Sequence, residues 1–212
     1  MKPHKTYEKA IVSFTGYLQS PAKQCDFEDW YFRLVSRFND EDTLTFAPRT
    51  WDSPVKDLAN QLFRQGVKRV AVLSYSHGQA ATVAFAKYAE EIGLLVDLWV
   101  SCDGVARARF LPRKKWAQPF SIRSLFRSVS IKVPAHITRT VYIRQEKNWP
   151  YGHELIASNG EQTVECAGVY HSVTHQEIDG LVDFWSLVKT ELTEWVKPPV
   201  AELEEVKLLL ER

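Results

Sequence analysis

One serine lies where the sequence passes from a predicted strand into a predicted helix. The segment VAVLSYSHGQAATVAF, residues 70–85, changes from apolar to alanine-rich, with Ser76 at the apex of a short turn. A serine oxygen becomes a nucleophile when a neighbouring base removes its proton, and acyl transfer is the usual result. Serine and glycine are also common in ordinary polar turns. The segment therefore indicates either a nucleophilic serine or a plain strand-to-helix connection.

This turn resembles the nucleophile elbow of the α/β-hydrolase family. In that motif, G-x-S-x-G, small residues on both sides of the serine let strand and helix approach closely. Ser74 replaces the first glycine, whereas Gly78 matches the second. The resemblance implies a strained backbone at Ser76 and a helix N-terminus that favours a developing oxyanion. It also implies that the His77 backbone N–H is one oxyanion donor and that its side chain points away.

The acid of the implied triad has two candidates. Asp103 ends a predicted strand and precedes Gly104, and Glu146 ends the next predicted strand. The resemblance allows either position, and its order of nucleophile, acid and histidine fits both. We favour Asp103, because a shorter side chain beside a glycine is better fixed at a strand end. The alternative for each residue is an exposed loop carboxylate.

The base of the implied triad is expected between the last predicted strand and the final helix. His175 follows that strand within GVYHSVTHQEID, as the catalytic histidine of the family does, and His171 competes because it lies nearer the strand end. With His175 as base and Asp103 orienting it, Ser76 is expected to attack an ester or thioester and pass the acyl group to water. The resemblance therefore implies a serine hydrolase.

A second oxyanion donor is implied in the loop after the first predicted strand. Gly16 permits close backbone approach there, and the N–H of Tyr17 or Leu18 is expected to face the substrate. A glycine and a tyrosine after a strand also form common turns. Both interpretations of this loop are open.

Residues 104–139 form a basic and aromatic insert. No acidic residue occurs between Gly104 and Gln145, whereas ten arginines and lysines do. In the family this location often carries a lid over the active site. We expect a lid whose cations, with Arg113 and Lys114 as candidates, hold an anionic substrate group, and whose aromatic residues, with Trp116 as candidate, line an acyl pocket.

The same insert suggests an alternative from another class of protein. Basic residues with interleaved aromatics also bind nucleic acid or anionic lipid, so residues 107–144 could serve a non-catalytic protein with a hydrolase fold. Nucleic acid is the less favoured partner, because basic loops are more often solvated and the sequence has no nucleic-acid motif.

The elements that must position these residues alternate between strand and helix. Strands are predicted over residues 10–14, 43–47, 67–73, 95–101, 140–144 and 163–169, and helices over 26–38, 54–65, 77–92 and 181–195. Such alternation predicts an α/β fold: a three-layer sandwich with a mostly parallel sheet of about six strands, the minimal α/β-hydrolase fold, with ligands at the carboxyl ends of the strands.

Composition limits the class of protein. A chain of 212 residues with 45% hydrophobic residues fits one domain over residues 1–212. The spacing of the three cysteines matches no zinc pattern and no glycine-rich phosphate loop is present, so we expect no metal and no cofactor. Because the N-terminus lacks an apolar leader and the cysteines read as reduced thiols, we expect a cytoplasmic protein. The sequence leaves the oligomeric state open.

Overall fold

The described part of the chain alternates strands and helices around one parallel sheet. The computed structural model describes residues 7–16, 26–40, 42–105, 130–148 and 151–197. Its strands are β1 (Lys9–Thr15), β2 (Thr43–Thr45), β3 (Arg49–Thr50), β4 (Arg69–Tyr75), β5 (Leu95–Cys102), β6 (Ile131–Lys132), β7 (Arg139–Gln145), β8 (Leu155–Ile156) and β9 (Thr163–Tyr170). Its α-helices are α1 (Asp26–Leu34), α2 (Val55–Arg64), α3 (Gly78–Glu91) and α4 (Val182–Val196).

Among the described residues, the central sheet has seven strands, and every pairing in it is parallel. Its order is β2-β1-β4-β5-β7-β9, with β3 paired to the end of β1. The chain goes from β1 to β2 on one side and then returns to place β4 on the other side of β1. This reversal of direction makes the carboxyl ends of β1 and β4 a topological switch point, where open α/β sheets bind their ligands.

The buried side chains of the sheet belong to two clusters, and each cluster includes residues of two helices. Because side chains alternate along a strand, Val12 and Phe14 of β1 pack with α2 and α3, whereas Ile11 packs with α1 and α4. The central strands β1 and β4 are buried over nearly their whole length, and both end at the switch point.

The predicted α/β organisation with a mostly parallel sheet is confirmed, and its details differ. In the described part of the chain the sheet includes seven strands, where about six were predicted, and β6 and β8 form a separate two-stranded parallel sheet. The strands β3, β6 and β8 were not predicted, because two residues are too few to show an alternating pattern. The first helix ends at Leu34, and a short 3₁₀ helix continues it through Val35–Phe38.

Part of the predicted insert belongs to the body of the protein. Ile131, Val133 and Ile137 are buried in the core that α2 and α3 cover. Val105 is also fully buried. Of the predicted insert, residues 106–129 lie outside the described residues, and with them Arg113, Lys114 and Trp116.

Candidate active site

Ser76 occupies the turn between β4 and α3 in a conformation that L-residues rarely adopt. Its φ is +53°, in the left-handed region. The surrounding backbone holds this conformation, because the Ser76 N–H donates to the Cys102 carbonyl at 3.1 Å. The Ser76 carbonyl in turn accepts from the N–H groups of Gln79 at 3.2 Å and Val105 at 3.0 Å. Backbone strain that is stabilised in this way is common at functional sites.

The two small residues around Ser76 have different reasons to be small. A Cβ on Gly78 would lie 2.0 Å from the carbonyl oxygen of Phe14, so only glycine lets α3 approach β1 this closely. Ser74 is fully buried, and its hydroxyl accepts from Trp99 Nε1 at 2.8 Å and lies 3.2 Å from Ser101 Oγ. The departure from the glycine motif is therefore accommodated by a buried hydrogen-bond network.

The structure brings Ser76, His175 and Asp103 together in one chain of hydrogen bonds. His175 Nε2 lies 2.8 Å from Ser76 Oγ, and His175 Nδ1 lies 2.5 Å from Asp103 Oδ2. All three residues are buried, with Asp103 inaccessible and His175 only 7% exposed. A carboxylate on Nδ1 selects the tautomer in which Nε2 carries a lone pair, which faces the serine hydroxyl. The arrangement can transfer a proton from Ser76 to His175.

The Asp103 carboxylate is fixed by the backbone around it. Its φ is +43°, and its N–H donates to the Ile143 carbonyl at 2.8 Å. Oδ1 accepts the N–H of Gln145 at 2.8 Å, which leaves Oδ2 for His175. A Cβ on Gly152 would lie 1.9 Å from Oδ1, so residue 152 must be a glycine for the backbone to approach the carboxylate this closely.

The imidazole of His175 is held by contacts to its ring and to its backbone. The ring stacks on Tyr75 with centroids 5.3 Å apart, and the Tyr75 hydroxyl donates to the His175 carbonyl. The His175 N–H donates to Asn148 Oδ1 at 2.9 Å. One residue earlier, Thr174 donates its N–H and its hydroxyl to Glu177 Oε2 at 2.9 and 2.7 Å. These two hydrogen bonds, that of the hydroxyl first, lower the pKa of Glu177.

The alternative acid and base lie elsewhere, against each other. Glu146 is 2.6 Å from Arg144 Nη1 and 3.8 Å from His171 Nδ1. The His171 side chain is 73% exposed. Alternation along β7 explains the difference, because Gln145 points into the protein and Glu146 points out. His175 therefore has Asp103 as its carboxylate partner.

Two of the candidate oxyanion donors are described: one directly follows Ser76 in the chain, and the other follows the neighbouring strand β1. His77 follows the serine and precedes the first residue of α3, and its ring lies edge-on to Trp51 with centroids 6.0 Å apart. Gly16 follows β1, which pairs directly with the strand that carries Ser76, and it is buried. Tyr17, the other predicted donor in this loop, lies outside the described residues.

A cysteine close to the site is unsuited to act as nucleophile. Cys102 directly precedes Asp103 and is fully buried. Burial raises the pKa of this thiol well above its ordinary value, and the nearby carboxylates of Asp179 and Asp103 raise it further. The thiol is therefore neutral at physiological pH.

Three residues that support the site were not predicted from the sequence. Tyr75, Gln145 and Asn148 hold His175 or Asp103 through contacts between distant parts of the chain. The sequence could have indicated a role for Tyr75, because this residue directly precedes Ser76. For Gln145 and Asn148 the sequence offers only their position after a strand, and polar residues there are common.

Comparison with known proteins leaves the family of this chain unassigned. No protein-family model matches the sequence, and no curated protein matches it significantly. Among the described residues, histidine, cysteine and carboxylate side chains form no group of three that could hold a metal ion. None of the described helices combines the length and the apolar character needed to cross a membrane.

Proposed function

We propose that the protein is a serine hydrolase with a minimal α/β-hydrolase fold in three layers, which cleaves a small ester or thioester. One observation carries the proposal: His175 bridges Ser76 Oγ at 2.8 Å and Asp103 Oδ2 at 2.5 Å. Each of these three residues follows the carboxyl end of a strand, and Ser76 has a left-handed backbone at a strand-to-helix turn. This combination of nucleophile, base and orienting acid is the requirement for nucleophilic catalysis by serine.

Acylation begins with proton transfer from Ser76 to His175. The serine oxygen attacks the carbonyl carbon, Nε2 takes the hydroxyl proton, and the carbonyl oxygen becomes an oxyanion. When this intermediate collapses, the imidazolium gives its proton to the leaving alcohol or thiol, and the acyl group stays on Ser76. Water then repeats the sequence, releases the acid and restores the serine. Asp103 stabilises the imidazolium throughout without taking its proton.

The oxyanion is proposed to lie at the N-terminus of α3, against the backbone N–H of His77. The helix has 14 residues, and its dipole places partial positive charge at this end. Gly16 and the residue after it are the proposed source of a second N–H from the neighbouring strand β1. An anionic group on the substrate, held by the basic insert, remains a proposal from the sequence.

Labelling with a fluorophosphonate tests the proposal directly. The probe phosphonylates only an activated serine, so intact mass should show one adduct on the wild-type protein and none on Ser76→Ala. Ser172→Ala is the matched control, because this serine is exposed in the loop that precedes His175. We expect it to label at the wild-type rate. His175→Gln should label far more slowly, since the serine then lacks its base.

A folded wild-type protein that takes no label would refute the serine hydrolase. Circular dichroism and thermal unfolding establish folding in the same samples. In that outcome the basic residues between 107 and 144 become the place to look for function, through binding of nucleic acid or anionic vesicles and its loss with added salt.

A further inference from the structure

The turn after β7 lies between the strand that precedes Asp103 and the strand that leads to His175. In the sheet, β7 is paired on one side with β5, which precedes Asp103, and on the other with β9, which leads into the His175 loop. The turn, residues 145–148, therefore emerges at the same edge of the sheet as the acid and the base. No other described element of the sheet lies between β5 and β9.

This turn binds both residues directly. The Gln145 N–H donates to Asp103 Oδ1 at 2.8 Å, and Asn148 Oδ1 accepts the His175 N–H at 2.9 Å. The first bond fixes the rotation of the carboxylate, so that Oδ2 faces the imidazole. The second fixes the backbone from which the imidazole projects.

The side chain of Gln145 makes the turn rigid. It is fully buried, its Oε1 accepts the N–H groups of Lys147 at 2.8 Å and Asn148 at 3.0 Å, and its Nε2 donates to the Asn148 carbonyl at 3.0 Å. Both polar atoms of the carboxamide are thus used within four residues. Asn148 cannot shift relative to Gln145 without breaking these bonds.

We infer that Gln145 and Asn148 are positioning residues that set the distance between His175 and Asp103. The inference rests on the proposed function, since the catalytic value of that distance depends on it. A misplacement of about 1 Å in a catalytic group can lower the rate about 100-fold. Removal of the Asn148 acceptor should therefore slow the reaction of Ser76 with a fluorophosphonate, although the hydrogen bonds described for Asn148 go to Gln145 and to the His175 backbone.

The test compares three substitutions of asparagine. Asn148→Ala removes the acceptor, and we expect labelling about 10- to 100-fold slower than wild type. Asn148→Asp keeps an oxygen at the same place and should stay within about threefold of wild type. Asn159→Ala is the matched control, because Asn159 also accepts a backbone N–H, from Glu161 at 3.1 Å, but lies before the amino end of β9. It should label at the wild-type rate.

A second variant guards against a misfolded Asn148→Ala protein. Gln145→Met has a similar shape and leaves Asn148 in place but removes the three bonds that hold the turn, so it should also label more slowly. Proton NMR adds a readout that needs no turnover, because the short hydrogen bond between His175 Nδ1 and Asp103 should give a low-field resonance that Asn148→Ala shifts or loses.

Each outcome separates the inference from the proposed function. A wild-type protein that labels, with folded Asn148→Ala and Gln145→Met that label equally fast, overturns the inference and leaves the hydrolase standing. Folded Asn148→Asp that is as slow as Asn148→Ala also overturns it, because the acceptor oxygen is then irrelevant. A wild-type protein that takes no label, but whose low-field resonance is lost in Asn148→Ala, refutes the hydrolase and supports the positioning role.

Discussion

The strand β5 has a buried or nearly buried aspartate at each end, and the two have different partners. Near its amino end, Asp97 accepts Arg69 Nε at 2.7 Å and Trp195 Nε1 at 2.6 Å. Beyond its carboxyl end, Asp103 accepts the Gln145 N–H and faces His175. The first carboxylate is neutralised by a permanent cation, whereas the second meets a side chain whose charge can change.

The amino end of the sheet repeats this pattern of permanent pairing. Arg139 binds Glu191 through both Nε and Nη2 at 2.6 Å, and these bonds raise the pKa of the guanidinium. The Arg69 guanidinium also lies over the Trp195 ring. In both pairs the partner of the carboxylate is an arginine side chain, which cannot act as a base in proton transfer. The Asp103 carboxylate differs from these because its partner, His175, also contacts a serine hydroxyl, that of Ser76.

The largest effect that this comparison predicts is on activity in Asp103→Asn. Oδ1 receives a backbone N–H, so the amide oxygen should take that position and the NH₂ group should face His175 Nδ1. Nδ1 must then accept, and the proton moves to Nε2, where it blocks deprotonation of Ser76. We expect turnover of an activated ester to fall on the order of 10⁴-fold.

Thermal unfolding of Asp103→Asn serves as the control for this prediction. The substitution keeps the size of the side chain, so a folded protein with a normal circular dichroism spectrum is expected. Wild-type turnover in this variant would show that Asp103 is a structural carboxylate like Asp97.

The converse substitution, Asp97→Asn, should affect stability and spare activity. The side chain of Arg69 is 26% exposed and that of Asp97 is 11% exposed. Loss of the negative charge therefore leaves a poorly solvated cation. We expect the free energy of unfolding to fall by about 1–3 kcal/mol, measured by urea denaturation. Labelling of Ser76 at 25 °C should be unchanged. A loss of labelling in the folded protein would contradict the assignment of a structural role to Asp97 and a functional one to Asp103.

The sequence predicted the three residues that the structure brings together, but it favoured Asp103 over Glu146 only through side-chain length and the neighbouring glycine. Asp103 and Glu146 both follow strands of the same sheet, and the choice depends on which side chain points toward His175. Residue alternation at the end of β7 decides this, since Gln145 is buried and Glu146 exposed.

The hydrogen bonds that hold Asp103 and His175 could not be predicted from the sequence, for a different reason. Asn148 and His175, like Gln145 and Asp103, are far apart in the chain and meet only because β7 lies between β5 and β9. Strand order is a property of the whole fold, and local patterns carry little information about it. By contrast, apolar periodicity and helix-ending glycines are local, and the main strands and helices were predicted within a few residues of their bounds.

The smallest predicted effect concerns a third carboxylate, Glu177, whose described hydrogen bonds come from the N–H and the hydroxyl of Thr174. Thr174 lowers its pKa by donating two hydrogen bonds to the ionised form. A carboxyl whose folded pKa is lowered contributes stability above its ordinary pKa, and this contribution is lost as the pH falls through the lowered folded value. Carbon NMR should therefore show Glu177 titrating below pH 4.5, the ordinary value of its carboxyl pKa.

Thr174→Val is the matched variant for this titration, because it keeps the shape of Thr174 and removes the hydroxyl donor. The titration midpoint of Glu177 should move up toward the ordinary value, and in the wild-type protein the protection of the Thr174 N–H against exchange should fall as Glu177 is protonated. A midpoint that does not move would mean that the hydroxyl does not bind the carboxylate. Because this loop carries His175 but Glu177 does not touch the ring, labelling of Ser76 at neutral pH should change by less than about threefold, far less than in Asp103→Asn.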